Sequence, residues 1–323
     1  METIDSPALP LEQWIGVMER EYLHAFLPAG GAAVKFVIAG EDTAETLLHA
    51  IAGVAGRHGM IAARINAGDT RLHMLQEIFF ALARVLPWDD LVRRYVEELF
   101  ARNDYPWPEP GQKLTMAELA QEFGVAPNLL TRGRDQWLSR DLWDDPHLAR
   151  DFRSAMLHLC LARLEPDGDS NVASIFQWLC GEKVLLGQLR QFDIVSRITR
   201  TNARSMLISV CHWLRKCGVG GLVLALDLRP AMRPGGRAGS AADQTVRYST
   251  AAVMDLYEVL RELIDDIEGL PGLFVLALAD QALVAGDRRR TLDTYKALEM
   301  RIWPDVRPGD RQNPLAPLVT VGA

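Results

Sequence analysis

The chain has 323 residues, enough for one large domain or a domain with a sizeable insertion, and its 49% hydrophobic and 24% charged content is that of a globular protein. A formal charge of −7 argues against a broadly basic nucleic-acid-binding surface and leaves room only for a local patch. No apolar run reaches the roughly 18 to 20 residues of a membrane span, and the acidic start METIDSPALPLEQW has neither the basic nor the apolar region of a signal peptide, so a cytoplasmic location is expected. Residues 9–27 then show helical periodicity, with Leu11, Trp14, Ile15, Met18, Tyr22 and Phe26 on one stripe. A β-type run (Val34, Phe36, Val37, Ile38) ends at Gly40, a helix is predicted near 44–57, and MIAARIN (60–66) suits a second strand. This β-α-β succession favours a parallel sheet.

A helix is predicted over 72–86, and from there to about 180 the spacing of Trp, Phe and Leu is helical, broken by YPWPEPG (105–111) and EPDGDS (165–170). After a strong helix at 201–217, GLVLALD (221–227) reads as a buried strand. The Gly- and Pro-rich stretch 230–247 reads as a loop, followed by a helix at 250–268, a strand at 272–280, a helix at 291–303, and a tail, NPLAPLVTV, suited to an edge strand. The map is an α/β sheet domain in two parts, 1–86 and 199–323, separated by a helical insertion at 87–198.

The strand–glycine–helix layout at FVIAGEDTAETLL is how a phosphate-binding loop begins. Laying G-x-x-x-x-G-K-[ST] on it with the first glycine at Gly40 puts Glu45 at the second glycine, Thr46 at the lysine and Leu47 at the metal-binding hydroxyl. A second carboxylate is expected at the end of a neighbouring apolar strand, where Asp227 stands, and the position of a water-orienting glutamate is Leu228. Asp280 ends a third strand, where a polar sensor would sit. Glu41, Asp42 and Glu45 oppose a triphosphate: a carboxylate about 5 Å from a phosphate charge costs about 3 kcal/mol at an effective dielectric near 20. The alternative is that Gly40 is a turn glycine and Asp227 a strand-end aspartate.

Short strings along the chain bear on that choice. They are GED within FVIAGEDTAETLL, RINAGDTRLHMLQEIFFAL (62–82), WLCGE (178–182), ITRTNARSMLISVCHWLRKCGVGGLVLALD (198–227), YEVLRELIDDIEGLPGLFVLALAD (257–280), YKALEMRI (295–302) and NPLAPLV (313–319). In this order they resemble the P-loop ATP-binding proteins of BREX-type bacterial phage-defence systems, from about residue 10 to the end and least clearly in the helical block. The resemblance implies an AAA+-like or RecA-like P-loop fold with a helical insertion. It also implies a part in a DNA-surveillance complex beside an active P-loop ATPase or helicase, with DNA reached through the complex and homo- or hetero-oligomers as alternatives. The departures fall on the chemistry: Glu45, Thr46 and Leu47 replace Gly-Lys-Ser/Thr, and Leu228 replaces the glutamate. The expectation is therefore a catalytically inactive pseudo-ATPase, with ATP and Mg bound only where a partner subunit completes the site. Arg301, on the last helix, is either a phosphate-reaching sensor or a surface arginine.

Other features allow two readings each. Arg71-Leu72-His73 is either a phosphate- or subunit-facing pair or a helix start with His73 packed on the sheet. LTMAELAQEFGVAPNLL (114–130) reads as a helix-turn-helix with Thr115 as cap, an inner face of Ala117, Leu119, Ala120 and Phe123, and a turn at Gly124. Arg132, Arg134 and Arg140 follow on its candidate DNA side, with Glu118, Glu122, Asp135, Asp141 and Asp144 diluting their charge; the plain reading is a helical hairpin. Trp88, Trp107, Trp137, Trp143 and Trp178 are either a stacking platform for single strands or core. The four cysteines lack a C-x-x-C and read as buried free thiols, and the seven histidines show no close metal-ligand spacing.

Overall fold

A computed structural model describes residues 8–165, 168, 172–233, 245–287, 289–303 and 312–323. The chain divides into an α/β unit (1–82 and 219–323) and a helical unit (83–218). The division falls later than the 198/199 boundary read from the sequence because the predicted helix at 201–217, which spans Ala203–Lys216, belongs with the helical unit. Its Trp213 packs on Tyr95, its Ser209 hydroxyl accepts the Ala149 N–H, and Lys216 pairs with Asp145.

The α/β unit is built on six parallel strands: β1 (Leu9–Pro10), β2 (Ala33–Ala39), β3 (Ile61–Asn66), β4 (Leu222–Asp227), β5 (Leu273–Ala279) and β6 (Leu318–Gly322). Their order is β1-β6-β2-β5-β4-β3. β4 and β5 are buried at every position, as continuous apolar runs in a parallel sheet should be. The tail is not an edge strand: β6 lies between β1 and β2, and the two-residue β1 forms the edge.

Helices α1 (Leu11–Met18) and α2 (Glu41–Arg57) cover one face, sharing a core with Val37, Val223, Leu276 and Val319. β2 to β3 runs one way along the sheet and β4 to β5 runs back. Right-handed crossovers therefore set the helix Thr250–Asp265 on the opposite face. The connections leaving the adjacent strands β2 and β5 run to opposite faces, so the carboxyl ends beside Gly40 and Asp280 are the topological switch point of the sheet.

Two local departures have physical causes. After α1 the chain makes a π-helical turn, Glu19–Leu23, with i→i−5 bonds from His24 to Glu19 and Leu27 to Tyr22. The extra residue moves the buried stripe from 18-22-26 to Met18, Leu23 and Leu27, and leaves Phe26 46% exposed. α3 (Leu75–Val85) starts later than residue 72 because 67–74 form turns, with the Leu72 N–H donated to the Tyr248 hydroxyl at 2.7 Å. Helix Lys296–Ile302 likewise follows a separate 3-10 turn at Leu292–Thr294. The short helix Arg229–Met232 runs into the start of the stretch read as a loop, and 234–244 lie outside the described residues.

The helical unit contains α4 (Trp88–Ala101), α5 (Met116–Glu122), α6 (Pro127–Leu138) and α7 (Arg150–Arg163), with shorter helices at Ala173–Leu179 and Leu186–Leu189. Trp88 and Trp178 are buried, and Trp137 packs edge-on against Phe100, so these tryptophans serve as core. Trp143 is 40% exposed and lies under the Arg153 guanidinium. Cys160, Cys211 and Cys217 are buried free thiols and Cys180 is half-buried; burial pushes the Cys211 thiol up to about 12.

Candidate functional site

Gly40 follows the last residue of β2, and α2 begins at the very next residue, not near 44. The four positions between the two motif glycines, 41–44, are therefore the first helical turn and not a loop that can wrap phosphates. Gly40 is extended (φ −65°, ψ 167°), and a Cβ built on it would meet no atom within 4 Å. Nothing local requires a glycine there. Leu47, at the hydroxyl position, is fully buried in the α1–α2 core, while Thr46 turns its hydroxyl back to the Asp42 carbonyl at 3.0 Å.

Glu45 is the motif position with the richest surroundings. Its carboxylate accepts two bonds from Arg64 on β3, at 2.7 and 2.8 Å, and one from Arg229 at 2.9 Å. Arg229 also forks onto Asp227, with Nε to Oδ1 at 2.8 Å and Nη2 to Oδ2 at 2.7 Å. Arg64 and Asn66 add longer contacts to Asp227 Oδ2, at 3.3 and 3.2 Å. Two guanidinium groups and two carboxylates thus close into one network, with Arg229 Nη2 bridging the two acids.

Local structure explains this convergence. Arg64 and Asn66 lie two apart on β3 and so share a face, and parallel pairing sets Asn66 opposite Asp227. Asp227 ends β4 with no exposed surface, and the turn into Arg229–Met232 returns the Arg229 side chain over it. Glu45 approaches from the second turn of α2. The Arg64 and then the Arg229 hydrogen bonds hold the Glu45 carboxyl down at about 2, and the bonds to Asp227 raise the Arg229 guanidinium further above its ordinary value. Chemically, the cluster is saturated: the acid that would reach a metal already has a buried, bidentate cation.

The remaining predicted residues lie elsewhere or are otherwise engaged. Leu228 is fully buried and donates its N–H to the Leu278 carbonyl. Asp280 accepts the Ala282 N–H at 2.9 Å, at the start of the short helix Ala282–Ala285. Arg301 forks onto Asp265 at 2.5 and 2.9 Å and donates to the Ala297 carbonyl, which ties it to the end of the preceding long helix. Arg71 is exposed, whereas His73 packs edge-on against Tyr248.

In the hairpin, Arg134 does not face outward, against the DNA-side alternative. Its side chain is 11% exposed and pairs with Asp135 at 2.8 Å, because position 134 falls on the inner stripe with Leu130 and Leu138. Arg132 is exposed. Sequence reasoning missed Arg64, Asn66 and Arg229. The signal was there in the Arg-x-Asn alternation of β3 and in Asp227-x-Arg229, but only the β3–β4 register brings them together. Among the described residues no group of three His, Cys, Asp or Glu side chains is placed to hold a metal, and no helix is long and apolar enough to cross a membrane. Comparison of the chain with protein-family models, with characterised proteins and with solved structures finds no match in any of the three.

Proposed function

We propose that this chain is a catalytically inactive P-loop-type subunit, a pseudo-ATPase that acts as scaffold or regulator in a cytoplasmic bacterial defence or DNA-surveillance complex. Its partner on this reading is an active P-loop ATPase or helicase subunit. The observation that carries the reading is the Arg229 bridge. Glu45 stands at the second motif glycine and Asp227 at the metal-associated acid, so the space between them is where a metal–phosphate unit would meet the protein. Arg229 fills it with a covalently attached cation, 2.9 Å from one carboxylate and 2.7 Å from the other.

The strand order supports the AAA+-like or RecA-like form of the fold. Counted from β2, the strands lie fifth, first, fourth, third, second, with Gly40 following the first and Asp227 ending the third. Gly40 supports descent from a phosphate-binding ancestor, since the present structure gives it no steric reason to be glycine. The cluster weighs against a site completed by a neighbouring subunit, because a borrowed lysine or arginine would have to displace a buried, bidentate partner from Asp227.

The test is calorimetric titration of the intact chain with Mg-ATP, expected to give no binding heat at micromolar to submillimolar ligand. A micromolar affinity that disappears in Asp227→Ala overturns the proposal. For the partner, affinity purification from the native host is expected to return an ATPase or helicase; a purified assembly with neither counts against the scaffold role.

A further inference from the structure

The hairpin α5–α6 is outside the cluster and has a different chemistry. Thr115 and Glu118 close a full capping box at the start of α5: Glu118 donates its N–H to Thr115 Oγ1, and its carboxylate accepts the Thr115 N–H at 2.7 Å. α5 ends in a four-residue turn, 123–126, in which Gly124 takes φ +63°, and Pro127 opens α6. Leu119, Ala120, Leu130 and Leu138 are buried between the helices and their support. Phe123 packs on Tyr105 and Trp137 on Phe100, which fixes the hairpin on the start of the proline-rich segment and on α4. Two helices joined by a short glycine-containing turn, the second carrying an exposed polar face, are the form of a DNA-reading helix-turn-helix.

The exposed face of α6 decides what it can meet. Asn128, Arg132 and Gln136 stand four residues apart, all exposed, and Arg140 continues the row four residues further on. Asn and Gln are the side chains that pair bidentately with adenine, and Arg is the one that pairs with guanine. Leu129, 60% exposed beside this row, matches a thymine methyl. Of the carboxylates near this row, Glu118 is held in its capping box, Asp135 pairs with Arg134 and Asp145 with Lys216, while Glu122 and Asp144 are exposed. Asp141 accepts the Tyr95 hydroxyl and lies 3.8 Å from Lys216. The row itself contains no acid and two cations.

We infer that α5–α6 is a duplex-DNA-binding helix-turn-helix, with Asn128, Arg132 and Gln136 of α6 reading base edges in the major groove and Arg140 meeting the backbone. From 128 to 136 the row covers about 12 Å of helix, about three to four base-pair steps. With so few phosphate-facing cations, recognition rests on base contacts more than on charge, consistent with the overall negative charge of the chain.

Selection of the intact chain against a pool of randomised duplexes at low salt, followed by fluorescence anisotropy on the enriched sequence, tests this. Enrichment of a short site containing A·T and G·C positions is expected. Arg132→Ala is expected to weaken that site by about 5- to 150-fold and to relax preference at one guanine, with little change on a scrambled duplex. Asn128→Ala/Arg132→Ala/Gln136→Ala changes only exposed positions, so its melting temperature is expected to match the parent and its preference to vanish. A pool with no enriched sequence overturns the inference, as does a triple variant that binds the selected duplex unchanged. Loss of a co-purifying protein from the triple variant, with no DNA preference in the parent, overturns it in favour of a protein-facing hairpin.

Discussion

Arg229→Met isolates the bridge that defines the candidate site. Asp227 is fully buried, and Arg229 supplies its bidentate partner, so the variant leaves a buried carboxylate with only the longer contacts from Arg64 at 3.3 Å and Asn66 at 3.2 Å. Breaking a buried pair from one side costs about 3–5 kcal/mol, most of it the desolvation of the stranded charge. The contact to Glu45 adds little, because that carboxylate is 44% exposed and solvent-screened. For a unit of this size a loss of about 3–5 kcal/mol lowers the melting temperature by about 6–20 °C. Thermal unfolding of parent and variant at pH 7, followed by near-ultraviolet circular dichroism, reads this directly. Asp227→Asn/Arg229→Met removes the stranded charge along with its partner and is expected to recover at least half of the loss. A single variant melting within about 2 °C of the parent, or a double variant no better than the single, refutes the argument that the pair is a buried, mutually dependent unit.

Three further outcomes follow from other elements. Restoring the motif with Glu45→Gly/Thr46→Lys/Leu47→Ser is expected to lower stability by several kcal/mol, since Leu47 is fully buried and truncating such a leucine costs about 2–5 kcal/mol; calorimetry is expected to give no Mg-ATP binding, and a micromolar affinity refutes the view that the helical first turn excludes phosphate. Lys35 is buried with its ammonium donating to the Leu315 carbonyl at 2.5 Å, and burial lowers it to about 8 from 10.5. The folded chain therefore sheds this proton before the unfolded one, so the penalty is complete below pH 8 and relieved as pH rises toward 10.5; urea midpoints of parent and Lys35→Met should diverge across that window by up to about 3 kcal/mol, and parallel curves count against it. Deleting Arg20, an exposed residue of the π turn paired with Glu21, converts the 5-residue step from Met18 to Leu23 into an ordinary helical step of four. Its expected cost is within about 1 kcal/mol by urea denaturation, whereas a chain that no longer folds shows that the π turn itself is required.

How far the fold was legible depended on the range of the interactions that decide each element. β4 and β5 announced themselves because a strand buried on both faces is an uninterrupted apolar run. The helix cap at Thr115 and the turn at Gly124 were equally local and equally readable. Phe26 was assigned to the wrong side because a 3.6-residue period was carried through a turn that has one residue more. The place of β6 depended on strand order, a tertiary property that no local pattern in NPLAPLVTV encodes.

The site was half legible for the same reason. Motif spacing, which is local, singled out Glu45 and Asp227, which the fold brings together, but the side chains that determine their chemistry come from β3 and from the turn after β4. This alters the physical argument for the exclusion of ATP proposed above. Read from sequence, Glu41, Asp42 and Glu45 act alike, each repelling a triphosphate. In the folded chain Glu41 and Asp42 are exposed at the start of α2, whereas the charge of Glu45 is matched by two arginines. Repulsion from Glu45 is therefore mostly cancelled, and the barrier is occupancy: an entering phosphate would have to take Arg64 and Arg229 away from carboxylates they already satisfy. Such an exchange gains no new ion pair and strands Asp227, the costlier of the two acids to leave alone because it is buried. On the pseudo-ATPase reading proposed above, the network supplies the site's own anion and its own cation, which is why restoring the motif residues alone is not expected to restore ATP binding.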